Sequence, residues 1–295
     1  MDPVLIDTEL LGQPLLIESY AFFMGMAVVT AILVSWFVLA RLRLPVTRGL
    51  GVLALMLVSI PVGARLLNIA SKPHYYLEHP DLFVTRELVG FSLMGGLLLA
   101  IPVGILASRR AGIDPWRLAD AVTPGLFIGL AVMRVGCFLA GCCFGVESTL
   151  PWAVEFPYGS PAQQNSLQGE QTGTFGLFDF VTTPTVHPTQ VYELVASLGA
   201  AALAGYLLYR RLRPGVAFLS ATIVFCLARL ANHFLRVPSP TDEIPYLAYP
   251  ILYVVLAFTA AMMLSSRGWN RTIVDGFKVR CPAVRRPGNV RGNRG

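Results

Sequence analysis

Seven apolar runs, each about the length of a membrane crossing, set the limits on what this chain can fold into. They fall at approximately 18–40, 49–69, 89–108, 118–140, 189–209, 215–235 and 247–265. A helix needs roughly 20 apolar residues to cross the hydrocarbon core. Lipid offers no hydrogen bonds, so each crossing segment must pair its own backbone, and these runs read as helices. Only 14% of the residues are charged and 55% are hydrophobic; a water-soluble domain carries roughly 25% charged residues. The expected fold is an all-α integral membrane protein with seven transmembrane helices and a cap loop between helices 4 and 5.

Charge placement orients those helices. Arg41, Arg43 and Arg48 follow the first run, Arg109, Arg110 and Arg117 the third, and Arg210, Arg211 and Arg213 the fifth. With eight more in the tail after the seventh run, seventeen of the 23 basic residues fall on one side. The positive-inside rule makes that side cytoplasmic and puts the N-terminus outside. The net charge of +6 is therefore a topology signal and gives no reason to expect nucleic acid as a partner. The first 16 residues lack the basic start of a cleavable signal, so the first run is expected to act as its own uncleaved signal. Residues 1–265 read as a single membrane domain. The basic, Gly-rich segment 266–295 reads as a disordered cytoplasmic tail that touches anionic lipid. The outer loop 145–187 is long and aromatic, which fits a small folded cap or a floppy loop that seeks the interface.

Arginine falls inside the apolar runs at least twice, at Arg134 and at Arg229. A guanidinium at membrane depth costs several kcal/mol, so it faces a polar partner or a ligand. Arg134, Cys137 and Gly141 share one helical face in the fourth run. Arg229, Asn232, His233 and Arg236 form a polar stripe along the sixth. Two arginines on different helices suit one phosphate, because a guanidinium presents a planar, always-charged fork. The competing account makes each arginine the partner of a structural glutamate, with Arg236 snorkelling to the boundary. The fifth run opens with His187-Pro188-Thr189-Gln190-Val191-Tyr192-Glu193. Here His187, Gln190 and Tyr192 read as headgroup contacts and Glu193 as the residue that orients Arg134 or Arg229. The plainer account makes His187 a helix cap and Glu193 an ion-pair partner.

Five cysteines are present: Cys137, Cys142, Cys143, Cys226 and Cys281. No C-x-x-C occurs, so the spacing spells neither a redox motif nor a metal site, and no metal or cofactor is expected. Cys137, Cys142 and His187 can still converge in space, although free cysteine is also a common small hydrophobe.

Over roughly 15–265 the chain resembles the prolipoprotein diacylglyceryl transferases, integral membrane enzymes with seven transmembrane helices. Arg134-Val135-Gly136-Cys137-Phe138-Leu139-Ala140-Gly141-Cys142-Cys143-Phe144-Gly145 is similar to that family's Gly-Arg-Ile-Gly-Asn-Phe-Ile-Asn-Gly-Glu-x-x-Gly signature. The segment from His187 to Glu193 resembles its His-Pro-Ser/Thr-Gln-Leu-Tyr-Glu motif. Tyr20 resembles its first-helix tyrosine, Gly95-Gly96 the end of its Ser-Phe-His-Gly-Gly stretch, and Arg229 and Arg236 its two sixth-helix arginines. Asp120 and Pro124 match positions leading into the signature.

The resemblance implies transfer of the diacylglyceryl group of phosphatidylglycerol to the lipobox cysteine of a prolipoprotein, with glycerol phosphate released. It implies a multi-pass protein of the bacterial inner membrane, with a periplasmic N-terminus and cap and a cytoplasmic C-terminus. Its partners would be phosphatidylglycerol or a related phospholipid, and a prolipoprotein signal peptide or another thiol acceptor. Arg134, Arg229, His233 and Cys142 would carry catalysis. Tyr20, Cys137, His187, Gln190, Tyr192, Glu193 and Arg236 would bind substrate. Four positions depart from the pattern. Met94 replaces the histidine before Gly-Gly, Cys137 the signature asparagine, Cys142 the signature glutamate, and His233 a glutamate of the sixth helix. These departures keep two alternatives open: a non-catalytic phospholipid- or lipoprotein-binding relative, and a membrane protein whose cysteines handle thiols or metals.

Overall fold

The computed structural model describes residues 4–10, 13–71, 74, 77, 93–157, 160–162, 184–237 and 246–267. Two strands, β1 (Val4–Leu10) and β2 (Gln13–Glu18), pair antiparallel with Leu10 opposite Gln13. Seven long helices follow among the described residues: α1 (Ser19–Arg41), α2 (Val46–Ser71), α3 (Leu93–Arg110), α4 (Pro115–Leu139), α5 (Thr189–Tyr209), α6 (Val216–His233) and α7 (Ala248–Arg267). Strands β3 (Val154–Glu155) and β4 (Thr185–Val186) pair between α4 and α5. All but α3 are long and apolar enough to cross a membrane by length and composition. Helix α3 is 18 residues long and ends on Arg109 and Arg110.

The expected seven-helix architecture is thus present, with two differences. An N-terminal hairpin precedes the first helix, where only an outer N-terminal segment was expected. The sixth run, expected to continue to 235, stops as helix at His233, and the chain beyond it extends alongside Gly145. Gly90, Phe91, Ser92, the loops at 78–88 and 238–245, and the tail from 268 lie outside the described residues, as does the side chain of Met94.

Helix α4 is the centre of the bundle. It packs against α1 and α5 and also touches α6, whereas α7 packs chiefly on α6. Accordingly 44% of the apolar window of α4 is buried, against 11% of that of α7. Apolar side chains gain little by leaving lipid, so close backbone approach takes over as the packing device. On α4, a Cβ added to Gly125 or Gly129 would stand 2.6 Å from the Ala31 carbonyl oxygen or 2.7 Å from that of Ala27 on α1. Phe127 packs with Ala200, Ala201, Ala204 and Ala221 where α4, α5 and α6 meet. Pro61, Pro102 and Pro124 lie inside helices, which neighbouring helices make tolerable in a membrane bundle.

One buried charge braces this architecture. Asp120 on α4 is 6% exposed. Its Oδ2 accepts from the Gly215 N–H at 2.6 Å and its Oδ1 from the Phe218 N–H at 2.8 Å. The carboxylate therefore caps the first turn of α6, where the helix leaves N–H groups unpaired and its dipole favours negative charge.

At the other end of α4 three segments are stitched together by backbone. The Gly145 N–H donates to His187 O at 3.0 Å, the His187 N–H to Val146 O at 3.0 Å, and the Val146 N–H to Leu235 O at 2.9 Å. The end of α4, the start of α5 and the end of α6 are thereby held in one place. Gly145 is required there, because a Cβ would lie 2.6 Å from both His187 Cβ and Leu235 O. The cap rests on this junction. Phe156, 1% exposed, packs with Ala162 and Val186 against Phe138 and Phe144. The described part of the cap is folded, as an aromatic cluster of this kind requires.

Candidate active site

The stitched junction places the polar stripes of α4, α5 and α6 against each other. Glu193, one turn into α5 and 4% exposed, forms ion pairs with both Arg134 Nε and Arg229 Nη1. Asn232 Nδ2 donates to Glu193 Oε1 at 2.9 Å and to Thr189 O at 3.2 Å. Arg229 Nη2 donates to the Tyr253 hydroxyl at 3.0 Å, with the guanidinium 5.4 Å from that ring's centroid. A buried charge is tolerated when it is paired and hydrogen-bonded, and here one carboxylate supports two cations. Three guanidiniums converge on the junction, since Arg236 Nη2 lies 3.2 Å from Cys143 Sγ.

The turn after α4 explains where the cysteines go. Gly141 adopts φ +68, the Gly141 N–H donates to Phe138 O at 3.2 Å, and the Cys142 N–H donates to Cys137 O at 3.1 Å. This is the left-handed glycine stop of a helix, with its paired 5→2 and 6→1 bonds. It folds Cys142 back over Cys137. Cys143 also takes a positive φ, 62, which a residue with a side chain adopts only when its surroundings hold it. They do so by hydrogen bonds: Thr189 Oγ1 donates to Cys143 O at 2.6 Å and Gln190 Nε2 to Cys142 O at 2.7 Å. The Sγ atoms of Cys137, Cys142 and Cys143 all lie within 4.8 Å of one another. Arg134 Nη1 is 3.6 Å from Cys137 Sγ. Hydrogen bonding from Cys137 and Cys142, followed by the charges of Arg236 and Arg134, holds the Cys143 thiol far below the usual thiol range. Hydrogen bonding with Cys137 and then Cys143 pushes the Cys142 thiol up.

The structure places each candidate site residue, whereas Cys281 and the side chain of Met94 lie outside the described residues. Arg134, Arg229, Glu193, Gln190, Arg236, Cys137 and Cys142 meet at the junction. Tyr20, 38% exposed on α1, is an electrostatic neighbour of Arg134 and the three cysteines. His187 and Tyr192 form a flank to themselves. His187 Nδ1 lies 3.2 Å from the Tyr192 hydroxyl, which accepts from Trp152 Nε1 at 2.8 Å. The capping role considered for His187 does not occur: the N-cap of α5 is Pro188, with no side-chain capping bond. Arg236 does not snorkel, because it turns back onto Cys143. The ring of His233 lies 4.4 Å from that of Tyr246 and 6.2 Å from that of Tyr249. The sulfur that completes the cysteine group is that of Cys143, where His187 had been considered. Thr189 and Tyr253 were missed. A threonine opening a helix and an aromatic on a lipid-facing span carry no signal of a distant partner.

Comparison with known proteins decides the family. The sequence profile described as prolipoprotein diacylglyceryl transferase matches residues 8–274. The chain belongs to that family. It is 34% identical over 137 residues to the phosphatidylglycerol–prolipoprotein diacylglyceryl transferase of Mesorhizobium japonicum, covering 46% of this chain and 48% of that protein. It is 30% identical over 178 residues to the protein of the same name from Acaryochloris marina, covering 60% of each chain. With the Geobacter sulfurreducens protein of that name the identity is 30% over 203 residues, covering 65% of this chain and 68% of that one. The chain thus spans about half of the first of these relatives and about two thirds of the third.

Proposed function

We propose that this chain transfers the diacylglyceryl group of phosphatidylglycerol to a cysteine thiol of a prolipoprotein signal peptide. The observation that carries this reading is the convergence of Arg134 and Arg229, from two helices, on the buried Glu193. Fixed donors in a low-dielectric site stabilise developing charge far better than mobile water does, because they need not reorganise during reaction. In the proposed step the thiol sulfur attacks the glyceryl carbon that carries the phosphate. That carbon–oxygen bond breaks, a carbon–sulfur bond forms, and glycerol phosphate departs with the electron pair. The N–H groups of Arg134 and Arg229 that Glu193 leaves free take up the charge growing on the phosphate.

Two buried amide oxygens belong to the same cluster. Gln190 Oε1 and Asn232 Oδ1 make no hydrogen bond to a described residue, while their amide nitrogens are both committed. Two acceptors suit the two hydroxyl groups of a glycerol headgroup. The thiol's proton needs an acceptor, and His233, four residues beyond Arg229, is assigned that part. Cys142 is assigned the part of a donor. Tyr20, His187 and Tyr192 border the path of lipid and peptide. The protein sits in a bacterial inner membrane with its N-terminus and cap in the periplasm. The segment from 266 is a basic cytoplasmic tail.

Met94, where the family pattern has histidine, favours one other reading, a relative that binds phospholipid without turning it over. The test is purified protein in liposomes with acyl-labelled phosphatidylglycerol and a lipobox peptide that has one cysteine. Labelled peptide and released glycerol phosphate, both lost in Arg134→Ala, support transfer. Saturable lipid binding with no product supports the binding-only relative.

A further inference from the structure

The turn that ends α4 gathers three thiols whose sulfurs lie within 4.8 Å of one another. We propose that Cys137, Cys142 and Cys143 form a three-sulfur site for a soft monovalent metal ion of the Cu(I) type.

Geometry comes first. At the thiolate–metal distance of about 2.3 Å known for zinc, an ion in the plane of three sulfurs would hold them about 4 Å apart. The three Sγ atoms already lie within 4.8 Å of each other, so small rotations about side-chain bonds complete the triangle. Cys137 is 2% exposed and forms the floor, while Cys142 and Cys143 are half-buried and leave a way in. The glycine stop and the hydrogen bonds to the Cys142 and Cys143 carbonyls fix the backbone of all three ligands before any ion arrives. Thiolate ligands select soft ions.

Charge decides between a monovalent and a divalent guest. Arg134, Arg229 and Arg236 bring three positive charges to the junction, and Glu193 removes one. Among the described residues, two positive charges remain. Three thiolates around a monovalent cation carry two negative charges, which matches, whereas three around Zn(II) carry only one. The two arginines that touch the sulfurs, Arg134 at Cys137 and Arg236 at Cys143, are placed to balance that complex. They also favour the deprotonated ligands that metal binding needs.

The site does not depend on the transferase reading, and it is tested without turnover. The full chain carrying Cys226→Ser and Cys281→Ser is purified in detergent under reducing conditions. It is then titrated with Cu(I) against a chromogenic Cu(I) chelator. One ion per chain is expected, and X-ray absorption should show three sulfurs as its nearest neighbours. Adding Cys137→Ser or Cys142→Ser should weaken binding more than about 100-fold, since loss of outer partners alone costs about 10–100-fold. No binding, a shell with fewer than three sulfurs, tighter binding of Zn(II) than of Cu(I), or indifference to both substitutions would each overturn the proposal. The absorption measurement is made on the Cys226→Ser/Cys281→Ser parent, so a folding defect in the ligand variants leaves the test intact.

Discussion

The two ends of α4 each bury a charge, and the two are handled in opposite ways. Asp120 meets two backbone N–H groups at the start of α6, one for each carboxylate oxygen. Nothing about that arrangement asks for a ligand. Arg134, about 14 residues further along the same helix, shares the Glu193 carboxylate with Arg229 and has Arg236 close by. Positive charge is left over, and two buried amide oxygens nearby have no described partner. A buried charge that is fully matched holds a fold together, whereas a cluster built with an excess is prepared for something to bind.

Several changes would break or sharpen this contrast. The largest effect is expected from Arg134→Ala, which should cut turnover about 100–1,000-fold, the range found when one preorganised donor is removed. Single-turnover assays with labelled phosphatidylglycerol measure it, and a loss under tenfold would place the chemistry elsewhere. Next is Gly145→Ala, which pushes a methyl into His187 Cβ and Leu235 O. It should cost about 1–3 kcal/mol of stability through overpacking, read as a lower Tm in detergent. It should also lower activity, because the three stitched segments carry the site.

Asp120→Asn should cost about 1–3 kcal/mol by weakening charge-assisted caps, with turnover per folded molecule unchanged. A fall in turnover with normal stability would show that the two ends are not distinct. The smallest effect concerns pH. Because Cys137, Cys142 and then the arginines hold the Cys143 thiol low, it stays a thiolate as pH falls from 8 to 6. Its alkylation rate should be flat over that interval. An ordinary thiol, with a pKa of about 8.5, slows about tenfold per pH unit below that value. Mass spectrometry of the 137–143 peptide reads the rate, and a tenfold slope at Cys143 would contradict the assignment.

Much of the architecture could be read in the residue order. The seven helices follow from apolar run length, and their ends mostly agree to within a few residues. Helix α6 ends two residues before the expected 235, because backbone pairing to the α4 turn draws Leu235 and Arg236 out of it. The N-terminal hairpin escaped because a length-of-crossing argument says nothing about short extended segments. At the site, the stripes on α4 and α6 pointed to Arg134 and Arg229 individually. Their shared dependence on Glu193 is a product of packing between helices whose residues lie some 60 and 40 positions apart in the chain. The cysteine triangle was half visible. Cys137 and Cys142 stood out, but only the positive φ at Gly141 and Cys143 reveals that the chain doubles back and brings the third sulfur in.

The central claim is that the Arg134–Glu193–Arg229 centre acts on phospholipid while the Asp120 centre only braces the helices. It is tested most directly by measuring phosphatidylglycerol affinity and transfer to a lipobox peptide in parallel, for wild type, Arg134→Ala, Arg229→Ala and Asp120→Asn at matched folded fraction. The account predicts that both arginine variants lose binding and transfer together, while Asp120→Asn keeps both. Arginine variants that bind and turn over lipid as the wild type does, or an Asp120→Asn variant that fails while folded, would contradict it.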